Sequence, residues 1–452
     1  MFTDTHAHLF YPNFENDVDE VINRAKNEGV DYIIVPATDI KTADQTIELC
    51  EKYDFIYGAV GVHPHDTKDW NPALLNEIKE LSKHKKIVAI GEIGLDYYYD
   101  FSPKEKQIEA FKSQIELAIE LNLPVIIHNR ESDVDMLKTI QEYCGSGLKA
   151  QFHCFNASLE DANEYIRMGH FISFTGNITF KKADELRDIL SKISLEHIML
   201  ETDSPFMTPV PHRGKRNEPS YVKFIAEKIA EVHNLSLEDV SRYTSYNVFR
   251  MFGIGSKPGT SFTYKIKNSL YINVTNRCNA DCVFCDRKGE AVRSGYNLKM
   301  SREMEPAAEV YMNEIGDPKK YDEIVFCGYG EPTIRWNVVK EVAAFVKQKG
   351  GKTRINTNGH GSYINHKDIT PEMENLIDVV SISLNTSDPE EYARLFQVDK
   401  SLFNEAMNFI RNSKKYVSKV IVSIVDYNNV NHEKVKKMTE EIGIEFRVRE
   451  YY

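Results

Sequence analysis

Short apolar runs separated by amphipathic stretches set the rhythm of the first 254 residues. Runs near 2–6, 31–36, 55–61, 87–92, 123–128, 149–153, 170–174 and 197–201 predict eight strands. The segment from Pro103 to Asn122 carries Ile108, Phe111, Ile115, Ala118 and Ile119 at helical spacing, so it predicts a helix with one apolar face. Eight strands alternating with helices over about 250 residues is the pattern of a closed (β/α)8, TIM-like barrel.

Gly255-Ser-Lys-Pro-Gly-Thr-Ser interrupts both periodicities and predicts a linker over 255–262, dividing the chain into domains 1–254 and 263–452. Beyond it, apolar runs near 269–274, 323–327, 352–356, 378–384, 418–425 and 444–448 alternate with helical stretches such as 336–349 and 402–416. Six strand–helix units predict a second α/β domain, an open (β/α)6 partial barrel. The halves share no sequence repeat, and no segment is of low complexity.

The length of 452 residues supports this division, because single cores rarely grow beyond a few hundred residues. No apolar run reaches membrane-spanning length, and the start lacks a signal-peptide pattern, so a cytoplasmic protein with no membrane association is expected. Seven cysteines in such a chain point to reduced thiols and metal ligation rather than disulfides. The net charge of −12 is uneven: residues 1–254 hold 27 Lys/Arg against 41 Asp/Glu, and residues 255–452 hold 29 against 27. Neither half is basic enough for nonspecific coating of nucleic acid, so any phosphate recognition must come from local basic groups or bound metal.

Polar groups cluster where the first eight strands end: His6 and His8, His63 and His65, Glu92, His128, His153, then Glu201 and Asp203. Barrel strand ends converge on one mouth, so these donors face a common cavity. Imidazoles and carboxylates in this number suit one or two divalent ions such as Zn, Mn, Mg or Fe, and a two-metal site hydrolyses phosphodiesters, amides or lactones. Arg213, Lys215 and Arg216 form a short basic loop after Asp203, and with His63, His65 and Arg130 they are candidates for phosphate binding. Cys50, Cys144 and Cys154 read as structural.

Thr3-Asp-Thr-His-Ala-His8, Gly61-Val-His-Pro-His65, Gly91-Glu-Ile-Gly-Leu-Asp96, Pro124-Val-Ile-Ile-His128, Leu200-Glu-Thr-Asp203 and Arg213-Gly-Lys-Arg-Asn-Glu-Pro219 resemble, in order, the motifs of the TatD family of metal-dependent hydrolases. The resemblance implies one metal on His6, His8 and Asp203, a second on His128 and His153, and Glu92 bridging. It also implies catalytic roles for Asp203, Glu92 and Glu201, with Asp203 orienting or deprotonating the attacking water. The implied substrate is a nucleic acid 3′ end, through a 3′-to-5′ exonuclease-like activity. A small-molecule amidohydrolase or esterase, acting on a small phosphorylated or cyclic substrate related to the chemistry of the second half, is the alternative.

In that second half, Cys278-Asn-Ala-Asp-Cys282-Val-Phe-Cys285 spaces three thiols as C-x3-C-x2-C just after a β-rich run. Three thiolates on a cubane leave one iron open, whereas a structural zinc site normally wants a fourth ligand, and Cys327 lies 42 residues on. With Gly328-Tyr-Gly-Glu-Pro332 at a later strand end, the pattern resembles the radical S-adenosylmethionine superfamily, although Tyr329 replaces a glycine of its motif.

That resemblance implies a [4Fe–4S] cluster on Cys278, Cys282 and Cys285, and S-adenosylmethionine held by Phe284, Gly328, Gly330, Glu331, Asn358, Ser383 and Asn385. It further implies an external one-electron reductant such as flavodoxin or ferredoxin, and a 5′-deoxyadenosyl radical as the reactive product. The alternative is a cluster that only carries electrons or staples the fold. The fused chain is thus expected to be a bifunctional enzyme.

Overall fold

Val30, Ile33, Ile34 and Val35 of one strand are all buried, on both of its faces, as happens when helices cover a sheet outside and side chains fill it inside. The structure, a computed structural model, describes residues 2–426 and 432–450. Its backbone divides into two units, Met1–Lys257 and Pro258–Tyr452.

The first unit is built on β1 (Phe2–Asp4), β2 (Val30–Pro36), β3 (Ile56–Val60), β4 (Ile87–Asp96), β5 (Val125–Arg130), β6 (Ala150–Phe152), β7 (Phe171–Phe174) and β8 (Ile198–Leu200). They pair in parallel in sequence order. The circle closes where Thr5 N–H donates to Leu200 O at 3.0 Å and His8 N–H to Ser204 O at 2.8 Å. The predicted helix at 103–122 forms as Lys104–Leu121, with Phe111 and Ile115 fully buried and Asn122 ending it in a left-handed turn. Each of those two side chains contributes about 1.5–3 kcal/mol by leaving water.

β4 is the longest barrel strand and runs to Asp96. Gly94 lets it lie against β5: a Cβ there would sit 2.0 Å from the His128 carbonyl, and its φ of +146° suits glycine alone. Beneath the mouth, Gln151 Nε2 lies within hydrogen-bond distance of Thr5 Oγ1 at 2.7 Å, Ser173 Oγ at 2.8 Å and Glu201 Oε2 at 3.0 Å, tying four strands or their ends together in a buried polar layer.

The second unit contains β9 (Thr263–Ile266), β10 (Ser269–Ile272), β11 (Val292–Arg293), β12 (Tyr296–Asn297), β13 (Ile324–Phe326), β14 (Thr353–Thr357), β15 (Val379–Ser383), β16 (Lys419–Asp426) and β17 (Glu445–Glu450). Six of these, from β10 through β13, β14, β15 and β16 to β17, form a parallel sheet, and β9 adds an antiparallel edge to β10. This is a (β/α)6 partial barrel. The β9 strand and the small β11–β12 hairpin were not among the predicted strands, because two- and four-residue pairings carry no periodicity of their own. A separate core, including Ile324, Phe326, Ile355, Val380 and Val422, lies under its helices.

Candidate functional site

His6 and His8 are two apart on extended chain, so both side chains leave the same side of the strand end. The same spacing sets Glu92, Gly94 and Asp96 on one face of β4. Around the mouth these elements bring their donors onto one carboxylate. Glu92 Oε2 lies 3.3 Å from His6 Nε2 and 3.5 Å from His8 Nε2, while Glu92 Oε1 lies 2.8 Å from His153 Nε2, 3.0 Å from His128 Nδ1 and 3.5 Å from His63 Nε2. Asp203 Oδ1 completes the His6–His8 side at 3.9 and 3.6 Å. Its backbone is left-handed, φ 54°, a conformation aspartate tolerates better than most residues, and its N–H is held by His6 O at 2.8 Å.

Three sets of ligand atoms each gather within 4.8 Å: His6, His8 and Asp203; His6, His153 and Glu201; His63, Glu92 and His128. Nitrogen faces nitrogen at 3.1 Å between His6 and His8 and at 3.2 Å between His128 and His153. Nδ1 of His6 and of His153 are buried without a hydrogen-bond partner. Lone pairs crowded in this way are relieved by protons or by cations, and the chemistry of the donor set fits a pair of divalent ions.

The electrostatics follow from that crowding. Burial alone would raise the Glu92 carboxyl, but His153, His6 and His63 around it hold it well below the usual carboxylate range. Burial pushes His6 down to about 3, assisted by the neighbouring His153, and His63 down to about 4. His153 moves the other way despite burial, because Glu92 and Glu201 favour its charged form.

Supporting groups stand behind the cluster. Asp96 Oδ2 lies 3.0 Å from His128 Nε2 and 2.8 Å from His65 Nε2. Asp4 accepts hydrogen bonds from the backbone N–H and hydroxyl of Thr202 and from His6 N–H, and burial pushes its carboxyl up to about 8. Glu201 is fully buried, accepts from Gln151 and Cys154 N–H, and sits 3.7 Å from His153 Nδ1, on the buried side of the cluster that it shares with His6 and His153. Asp96 was in a recognised sequence stretch but not singled out; its place four residues after Glu92 on extended chain was the available signal.

The basic candidates divide. Arg216 is paired with Asp17 through both guanidinium nitrogens, at 2.6 and 2.7 Å, and Arg213 lies 3.8 Å over the Phe180 ring. His63 is buried among the imidazoles rather than on the rim, and His65 is turned to Asp96. Lys215 is exposed, and Arg130 stacks on Tyr98 at 3.9 Å.

In the second unit, burial pushes the Cys278 and Cys282 thiols up to about 11 and about 12, and neighbouring charge from Glu331 and the other cysteines adds to this. Thiols so placed become thiolates when a cation binds. Phe284 packs edge-on to Phe396 at 5.6 Å. Asn358 Nδ2 lies 3.8 Å from Cys278 Sγ and donates to Asn279 Oδ1 at 2.9 Å. From Asn279 the network continues to His360 Nδ1 at 3.0 Å, and from His360 Nε2 to the Tyr392 hydroxyl at 2.8 Å.

Glu331 is buried and its carboxylate is filled by its own chain: Thr333 N–H at 3.1 Å and hydroxyl at 2.6 Å, Thr357 hydroxyl at 2.8 Å and Asn358 N–H at 2.8 Å. It therefore braces the Gly328–Pro332 turn from within. A Cβ on Gly330 would lie 2.3 Å from Thr275 O and 2.5 Å from Arg277 O, so the turn is pressed onto the chain leading into the cysteine loop. Asn385, in a left-handed turn, has a buried Nδ2 with no partner, while its Oδ1 accepts from Ser383 Oγ at 3.3 Å. A three-thiol loop beside a turn whose Gly328 and Gly330 carry no side chain, with an unused amide donor on Asn385, fits a cluster and its organic cosubstrate. Among the described residues no helix is long and apolar enough to cross a membrane.

Comparison with known proteins finds both halves. The model for TatD related DNase matches residues 3–253, and the model for the Radical SAM superfamily matches residues 272–442. The uncharacterized metal-dependent hydrolase YabD of Bacillus subtilis is 46% identical over 254 residues, covering 56% of this chain and 100% of that protein. The 3′-5′ ssDNA/RNA exonuclease TatD of Klebsiella pneumoniae is 33% identical over 256 residues, 56% of this chain and 97% of its own. Among solved structures, YJJV, a TatD homolog from Escherichia coli, superposes with TM-score 0.54 at 29% identity, covering 56% of this chain and 98% of that one.

Proposed function

The chain belongs to the TatD-related DNase family and carries a radical SAM domain behind the hydrolase, and from that premise we propose a two-centre enzyme whose first half trims single-stranded nucleic acid from its 3′ end. The second half, in the same reading, cleaves S-adenosylmethionine reductively. The observation that carries the hydrolytic reading is the division of Glu92, one oxygen toward His6 and His8 and the other toward His128 and His153. The exonuclease named above supports the choice of substrate.

His6, His8 and Asp203 would hold one divalent ion, His128 and His153 the other, and Glu92 would join them. When bound, such a pair lowers the pKa of a water and offsets charge on the phosphate oxygens. The protein's own work is positional. Asp203, the least buried member of its set at 14% exposure, takes the proton of the attacking water. Glu201 fixes His153 from behind, and Asp96 does the same for His128. As water adds to phosphorus, the bond to the 3′-oxygen breaks, and that oxygen leaves with a proton.

In the radical half, Cys278, Cys282 and Cys285 would hold a [4Fe–4S] cluster, with the backbone of Gly328–Gly330, Asn358, Ser383 and Asn385 shaping the S-adenosylmethionine pocket. When bound and reduced by a flavodoxin- or ferredoxin-class donor, such a cluster would supply the one electron that reductive cleavage of the sulfonium requires. A cytoplasmic setting would keep the thiols reduced.

Two assays test this. Metal-loaded protein should shorten 5′-labelled single strands, and E92Q and D203N should each lower the rate by about 100- to 10,000-fold; turnover of lactones or cyclic amides with intact oligonucleotides would overturn the nuclease reading. Anaerobically reduced protein should release 5′-deoxyadenosine from S-adenosylmethionine, and no release above a dithionite blank would sink the radical reading.

A further inference from the structure

Beyond Asp96 the chain runs Tyr97-Tyr98-Tyr99-Asp100-Phe101, and three of its rings stay open to solvent: Tyr98 is 51% exposed, Tyr99 40% and Phe101 58%. Large rings gathered in one exposed patch are unusual on a surface that nothing covers. These rings are not loose. Asp96 Oδ1 accepts from the N–H of Tyr98 at 3.0 Å and of Tyr99 at 3.1 Å, and Ser102 Oγ donates to His65 O at 2.7 Å.

Their arrangement is that of a platform. Tyr99 and Phe101 stack at 5.2 Å with planes 21° apart, and both stand against the His65 ring, at 5.4 and 4.8 Å. The Arg130 guanidinium lies 3.9 Å over Tyr98 and 5.0 Å from Tyr99. Among the described residues no carboxylate pairs with Arg130, so its charge is available to a phosphate while its plane extends the stack. The same Asp96 that anchors the platform's backbone also anchors His65 and His128, which fixes the platform beside the donor cluster.

We propose that Tyr98, Tyr99, Phe101 and Arg130 form a stacking site for an unpaired nucleobase of the strand being cut. The inference rests on the nuclease reading above and adds a source of substrate recognition to it. Flat apolar faces and a guanidinium plane accept any base, since every base has a π face, but they offer no pattern of donors and acceptors to read its edge. Bases stacked in a duplex have both faces covered. The site therefore selects single strands that carry bases, without selecting their sequence.

The experiment compares 5′-labelled oligo(dT) with the same strand carrying abasic tetrahydrofuran residues at its two 3′-terminal positions, using the metal-loaded full chain. The wild type should prefer the base-bearing strand by about 10- to 100-fold in kcat/KM. In Y98A/Y99A/F101A that ratio should collapse toward one, and in Y98F/Y99F, which keeps the rings, it should remain. Metal content and the melting transition of each variant show that the fold is intact. A wild type that cuts both strands equally, or a triple variant that keeps the preference, overturns the stacking site while leaving the nuclease reading standing. A wild type that cuts neither strand overturns both.

Discussion

Asp96 Oδ2 lies 3.0 Å from Nε2 of His128, while Nδ1 of the same ring faces Glu92 Oε1, also at 3.0 Å. One imidazole is thus held between a carboxylate at the centre of the donor cluster and another outside it. His128 and His65 keep Asp96 ionised against the effect of burial, which would raise its pKa. D96N should weaken binding of the second divalent ion about 10- to 100-fold with the fold preserved. Calorimetric titration of metal-free protein checks this, and unchanged affinity would leave Asp96 with its contacts to His65, Tyr98 and Tyr99 and no part in metal binding.

The cysteine loop predicts a sharp division among thiols. C278S, C282S and C285S should each lose most of the iron and the visible charge-transfer band after anaerobic reconstitution. C327S should keep both, because Cys327 follows β13, its N–H is committed to Ile272 O at 3.0 Å, and its Sγ rests 3.9 Å from Gly328 O. Iron lost equally in C327S would make it a fourth ligand and argue for a closed structural site.

His360 gives the second unit an acid limb. It is fully buried, and burial pushes its pKa down to about 4 from an ordinary 6.5. The unfolded chain therefore takes up a proton at a pH where the folded one does not, so stability is complete above about 6.5 and falls as pH drops toward about 4. Urea unfolding of the wild type at pH 7 and pH 5 should show that loss. H360Q, which retains a donor and an acceptor for Tyr392 and Asn279, should lessen it, the remainder belonging to buried histidines of the first unit such as His6 and His63. An identical slope in H360Q would mean another group titrates.

G330A tests the close approach directly. The added methyl would press on the carbonyls of Thr275 and Arg277, and backbone atoms give way less readily than side chains. Affinity for S-adenosylmethionine, measured by equilibrium dialysis, should fall by at least about tenfold, an effect of about 1.4 kcal/mol. Retained affinity would show that the turn can shift without cost.

The sequence by itself determined the parallel strands of both sheets and the donor atoms. Strands are written in local apolar runs, and a barrel must gather strand ends, so His6, His8, Glu92, His128, His153 and Asp203 could be assigned to one mouth before any coordinates. Only the tertiary structure decided which donor faces which. It turned the two oxygens of Glu92 to different imidazole sets and moved Glu201 behind His153. It also paired Arg216 with Asp17, 199 positions away, where the sequence had offered it to phosphate. Periodicity records which face of an element is apolar, over three or four residues; the partner of a charged side chain depends on how distant segments approach. Arg216 in its basic loop and Tyr98 after its strand look alike as surface residues in the sequence. The fold gives the arginine a carboxylate and leaves the tyrosine ring open beside Arg130.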